Sequence, residues 1–445
     1  MAGTTATIEI SKAAQTWLAN FEMLRGVDGN QSTQLNDLRA QAIQEFGRLD
    51  FPSTKHEEWK YTSLRNLVAE NWTPAFRPSQ ADLGLDNDAL YAKVLPNGFT
   101  GDVAVLVNGH FDANRSRLHN SNIEVKSLSD ALSSGHPALN NYGKIAKAEG
   151  RATVALNTAI ARDGIFVNIP KKVVSEETLY VIHLAVGDNV MINSRSFFNA
   201  EDFSNAKIVN VWHNWSGSKV WENHVSEVKV GVNTHLDCSN VQNNIGDQFS
   251  LISFCQAEQE KDSTFRSNVM TAEGEIVRND LQALHLGENC QTFMSGLTLL
   301  NGNTHVDHHT LVDHAMPNCY SNENYKTVLD GQSTCVFNGK VMVRIDAQKT
   351  NAFQSNKTLL LSEGATVNTK PQLEIYADDV KCSHGATTGQ LDETALFYLR
   401  SRGLSQEKAK SLLTYAFGAE VLEDISTEAL KESLEAYTLA RLGSF

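Results

Sequence analysis

The chain has 445 residues, with 52 acidic and 38 basic side chains and a formal net charge of -14. That excess of negative charge disfavours nucleic acid or an anionic membrane as partner, and the length calls for about two or three structural units. Apolar residues make up 41% and run along the whole chain, which excludes a disordered sequence.

No stretch approaches the roughly 20 apolar residues needed to cross a bilayer. Met1 to Ile10 lacks the charged start and apolar middle of a secretory signal. A cytoplasmic protein is therefore expected. Its six cysteines, Cys238, Cys255, Cys290, Cys319, Cys335 and Cys382, form no Cys-x-x-Cys pair. In a reducing compartment they are expected to be free thiols, most of them small buried groups.

Three zones follow in chain order. Residues 1–150 read as a mainly helical region: Trp17, Leu18, Phe21 and Leu24 recur at helical spacing, as do Leu35, Leu38, Ile43 and Phe46. A stretch from Phe51 to Pro78 interrupts them with Trp59, Tyr61, Trp72 and Phe76. Val103 to Val107, followed by Asn108-Gly109, reads as a strand ending in a turn.

In residues 151–381 proline becomes rare and short runs of Val, Ile, Thr and Phe alternate with Gly, Asn and Asp turns. Such runs are Lys207 to Trp212, Lys219 to Trp221, Glu227 to Val232, Gln248 to Phe254, Thr292 to Leu300 and Lys340 to Ile345. More than 200 residues of short strands without helices exclude a doubly wound α/β sheet. A sandwich, a propeller and a β-helix stay open, because no strict repeat is visible. Asn and His on strands mildly favour stacked coils with polar ladders. Residues 382–445 read as a helical tail, with Ser405 and Thr427 as N-caps and Gly418 as a helix stop.

Two constellations carry chemistry. His305 to His314 holds His305, Asp307, His309 and Asp313 on one strand face and His308 and His314 on the other. Imidazoles and carboxylates suit zinc or ferrous iron. Three ligands along one strand are collinear, however, so hydrogen bonding across neighbouring strands is the favoured reading. Cys382-Ser383-His384-Gly385 sets a thiol and an imidazole two residues apart, on one side of an extended chain. These are ligands for iron or an iron–sulfur cluster, but a cluster needs about four, so a second chain would have to complete it.

Neither nucleotide chemistry nor nucleophilic catalysis finds support. Gly339-Lys340 has Thr334 where a phosphate-binding loop needs glycine, and Gly-x-Gly-x-x-Gly and Gly-x-Ser-x-Gly are absent.

Several long strings converge on one resemblance. They are Phe51-Pro52-Ser53-Thr54-Lys55-His56-Glu57-Glu58-Trp59-Lys60-Tyr61-Thr62, Pro317-Asn318-Cys319-Tyr320-Ser321, Val336-Phe337-Asn338-Gly339-Lys340-Val341, and the run from Asn368-Thr369-Lys370-Pro371-Gln372-Leu373 through Asp378-Asp379-Val380-Lys381-Cys382-Ser383-His384-Gly385 to Arg402-Gly403. Together they resemble the SufB/SufD family of iron–sulfur cluster assembly proteins, with Cys-Ser-His-Gly pointing to its SufD branch.

The resemblance implies a mainly β fold: a central right-handed parallel β-helix flanked by N-terminal and C-terminal helical regions. It implies a non-catalytic scaffold in the cytoplasm that pairs with a SufB-like paralogue and docks a SufC-like ABC ATPase. Cys382 and His384 become candidate metal ligands at the inter-subunit interface. Leu396, Tyr398, Arg400 and Arg402 become candidate ATPase contacts. A homodimer is expected for the isolated chain, with no cofactor held stably. An iron–sulfur cluster would pass through the complex transiently, and a flavin reductant stays an open question. The rival reading is a cytosolic β-helix carbohydrate-active enzyme using Asp307 and Asp313 as paired acids.

Overall fold

The computed structural model describes residues 10–25, 33–77, 86–119 and 122–443. Residues 1–9, Pro78 and Phe445, used in the readings above, lie outside them. From Ile165 to Gly389 the chain alternates strand by strand between two parallel sheets, making a parallel β-helix of about eight coils. The first sheet runs from Ile165–Ile169 to Thr366–Ile375, and the second from Val174–Ala185 to Lys381–Gly389. Each strand pairs in register with its counterpart one coil away. Val277 lies against Val306, Val306 against Cys335 and Cys335 against Val367, steps of 29, 29 and 32 residues. Because the step varies and the stacked side chains differ, no strict repeat shows in the sequence.

One corner explains how the chain turns between sheets. Lys172, Phe203, Asn233, Asp262, Asn289, Asn318 and Lys349 all adopt positive φ, once per coil. Each donates its N–H to a carbonyl of the following coil, as Asn289 does to Pro317 at 3.2 Å and Asn318 to Gln348 at 2.8 Å. Asn and Asp tolerate this left-handed conformation better than other side chains, which accounts for four of the seven.

The helices cover the two outer faces. Trp17, Phe21, Phe46 and Leu156 pack with Met191, Trp221 and Ile252 of the first sheet. Val421, Leu422, Leu430 and Leu434 pack with Val241, Met270, Leu297 and Val328 of the second. Residues 101–107 form a strand beside Val174–Ala185 and turn at Asn108-Gly109 into His110–Phe111, as read from the sequence. That hairpin and the antiparallel strand Glu124–Ser127 close the N-terminal end. At the other end, Thr366–Ile375 and Lys381–Gly389 each keep one edge unpaired among the described residues.

Three local readings change. Lys219 to Trp221 and Glu227 to Val232 belong to one strand, Val220–Val230, whose interior polar residues Glu222, Asn223, His224 and Glu227 are buried. Ser405 caps Gln406–Leu422 through Lys408 N–H, but Thr427 makes no cap bond and its hydroxyl meets that of Thr178. Gly418 is no stop. It lies inside Gln406–Leu422, where a Cβ would sit 3.2 Å from Leu297 Cδ1, so glycine there lets the helix settle onto the sheet. Gly418→Leu should lower stability by about 1–3 kcal/mol through overpacking, and Leu297→Ala in the same chain should recover part of it. Denaturant unfolding of the two single variants and the double variant checks this.

Candidate functional site at the open end of the β-helix

Cys382 and His384 lie on Lys381–Gly389, the last strand of the second sheet, inside the final coil. Register sets Cys382 over Ala352 and Ser321, and His384 over Gln354 and Glu323. Ser321, Glu323, Ala352 and Gln354 are buried in the interior. Side chains alternate along a strand, so Cys382 and His384 share the inward side. No coil follows, which leaves His384 exposed and Cys382 half-buried. Burial raises the Cys382 thiol above its ordinary pKa.

A polar column runs beneath His384. Gln354 Nε2 donates to Glu323 Oε1 at 3.3 Å, and the Thr310 hydroxyl donates to the other Glu323 oxygen. Burial pushes Glu323 up to about 7 despite these donors. Gln354 Oε1 is buried with no hydrogen-bond partner among the described residues. Gly339 makes room for this amide, since a Cβ there would lie 2.3 Å from Gln354 Nε2. The corner thus presents a thiol and an imidazole at the mouth of a polar interior. Two ligands do not close a cluster site, so any cluster bound here needs ligands from outside this chain. Glu323 and Gln354 went unread in the sequence because only the register, some 30 residues per coil, brings them under His384.

The His305–His314 strand serves a different purpose. His308 faces inward and meets Thr298 Oγ1 at 2.9 Å. Asp307 is buried against Arg278, whose Nη1 lies 2.7 Å from its Oδ2, and receives a hydrogen bond from the Thr62 hydroxyl. His309 bridges Asp307 at 3.0 Å and Glu58 at 3.3 Å. Arg278 also donates to the Glu58 carbonyl at 2.8 Å and lies 3.9 Å from the Trp59 ring centre. Lys370 reaches Glu57 at 2.5 Å. The Phe51 to Thr62 string is therefore a clasp that binds the N-terminal segment to the first sheet. The acids of the carbohydrate-enzyme reading are engaged: Asp307 in this network and Asp313 with Arg344 at 2.6 Å.

The tail candidates divide. Tyr398, Arg400 and Arg402 are exposed, with the Arg402 guanidinium 5.1 Å from the Tyr398 ring centre. Leu396 is buried at 6% exposure and cannot touch a partner without unpacking. Its neighbour Phe397, 73% exposed, is the apolar residue the surface offers instead.

Burial alone would depress His309, but Asp307 and Glu58 override it and raise its pKa to about 9. The stabilisation is complete below the unfolded value near 6.5 and is lost as pH rises through 9, roughly 3 kcal/mol in all. Wild type should lose that much relative to His309→Gln between pH 6 and pH 10, read by denaturant unfolding at each pH.

Sequence comparisons agree with this architecture. Residues 183–417 match the SufBD core domain of the SUF system for FeS cluster assembly, and residues 12–181 match the SufBD protein N-terminal region. An iron–sulfur cluster assembly SufBD family protein of Synechocystis is 32% identical over 92% of this chain and 91% of its own. The iron–sulfur cluster assembly protein SufD of Escherichia coli is 28% identical over 97% of this chain and 96% of its own, and SufD of Bacillus subtilis is 24% identical over 90% and 92%. With the core match alone spanning more than half the sequence, the chain belongs to the SufBD family of iron–sulfur cluster assembly proteins.

Proposed function

We propose that the chain is a non-catalytic scaffold whose open β-helix end pairs with a second SufBD-type β-helix, a SufB-like paralogue. The observation that carries this is the asymmetry of the two ends. One is closed by a hairpin and an antiparallel strand, while the other leaves two long parallel strands with free edges beside Cys382 and His384. Unpaired edges of that length are templates for pairing with another chain. A partner seated there would cover His384 and could supply the missing cluster ligands. In the absence of the paralogue, a second copy of the chain would use the same edges as a homodimer.

The exposed Phe397, Tyr398, Arg400 and Arg402 form the surface for a SufC-like ABC ATPase, which would supply the nucleotide chemistry this chain's motifs do not. Differential docking in the two nucleotide states would drive the scaffold between conformations. Removing residues 390–445 is a poor test, because the tail also covers the second sheet. Tyr398→Ala combined with Arg400→Glu and Arg402→Glu should instead weaken ATPase capture at least about tenfold with unfolding unchanged. Undiminished capture would remove the tail from the interface.

For the corner itself, His384→Ala should leave folding and pairing intact while lowering cluster yield in the reconstituted complex. A normal yield would end its role as ligand or proton carrier. A polyuronate or glycan turned over by the purified chain would favour the enzyme reading.

A further inference from the structure

His285 and His314 stand in register on adjacent strands of the first sheet, just before the corner with positive φ. Cys290 and Cys319 follow that corner, each directly after its left-handed asparagine. All four side chains are buried. The two Nδ1 atoms are 3.2 Å apart, and Cys319 Sγ joins them with all three ligand atoms within 4.8 Å of one another. Cys290 Sγ lies at the same corner outside that group of three, 3.2 Å from the Glu260 and Gly287 carbonyls, and Cys319 Sγ lies 3.5 Å from the same Gly287 carbonyl. In a tetrahedral site with metal–nitrogen bonds of about 2.0–2.1 Å, two nitrogens lie about 3.3 Å apart. The rings already stand at that spacing.

The coils on either side show what these positions hold otherwise. In the histidine column the neighbours are Val230 and Gln259 on one side and Val343 and Ile375 on the other. In the corner column they are serine and threonine. The ligand-type residues coincide in both columns, in the same two coils.

The hydrogen bonds around them also suit ligation. Thr292 Oγ1 donates to Gln259 Oε1 at 2.5 Å, so it accepts from His285 Nε2–H at 2.7 Å, and Nδ1 of His285 is left as a bare lone pair. Nε2 of His314 lies 2.9 Å from Ser321 Oγ, a hydroxyl able to donate or accept as the ring's tautomer requires.

We propose that His285, His314 and Cys319, joined by Cys290 once its thiolate turns from the Glu260 and Gly287 carbonyls, form a tetrahedral site for one divalent transition-metal ion of zinc or ferrous character. Binding exchanges the two thiol protons for the ion's two positive charges, giving a neutral centre with two nitrogen and two sulfur ligands. The ion would clasp two coils in mid-solenoid, away from the Cys382–His384 mouth. This site is independent of pairing and of ATPase docking.

Since the cluster is buried, it would load as the chain folds. The test is the full chain without a polyhistidine tag, expressed in cobalt-supplemented medium and purified under inert gas. Roughly one cobalt per chain is expected, with thiolate-to-cobalt charge-transfer absorption and the intense d–d bands of a tetrahedral site. Cys319→Ser and His285→Gln should each lower the cobalt content at least about tenfold, while Cys335→Ser, a buried thiol in another column, keeps it. Should the site variants not fold, X-ray absorption of the wild-type chain decides alone, with two nitrogen and two sulfur neighbours supporting the site. Metal-free folded wild type, a cobalt shell without sulfur, or a Cys290–Cys319 disulfide would overturn the proposal.

Discussion

The in-register stacking of parallel strands is the constraint on which everything else rests. Each backbone ladder fixes which residue lies over which, so a side chain's neighbours are set by position in the coil, not by nearness in sequence. Hydrophobic columns such as Val277, Val306, Cys335 and Val367 fill the interior, and polar residues there bond within a column, as Gln354 does to Glu323, or across to the other sheet, as His314 does to Ser321. The left-handed corner keeps the stack in phase from coil to coil. Helical layers on both outer faces then bury the apolar surface that the sheets leave open.

Much of this was legible in the sequence. The helical stripe from Trp17 to Leu24 and the Asn108-Gly109 hairpin are local patterns, and local patterns can be read directly. The β-helix itself was one of three architectures left open by strand spacing, and the family resemblance chose it. What stayed hidden is non-local. The corner residues repeat at 27 to 31 positions, but Lys172, Phe203 and Lys349 stand among the asparagines and aspartates, which blurs the period. The polar interior of Val220–Val230 broke the expected apolar run into two fragments. Gly418 reads as a stop by composition and is instead a contact point, because a helix packed on a sheet can use glycine for close approach.

The candidate site shows the same division. The Cys-x-His spacing on an extended strand was visible, and so was its shortage of ligands. That His384 crowns a column holding the buried carboxyl of Glu323 required the register. His314 was read on the same strand face as His308, without its partner His285, and Cys290 and Cys319 were read as ordinary thiols. Their coincidence at one corner is a property of the stack.

A solenoid coil is held by its neighbours on either side, and the last coil has only one. Lys381–Gly389 therefore sits at the weak terminus of the ladder, where opening exposes little apolar surface and breaks a single row of backbone bonds. Under the proposed pairing, another chain would complete the ladder above Cys382 and His384 and hold both side chains firmly, so the geometry of the corner would be a product of assembly, lost when the partner leaves.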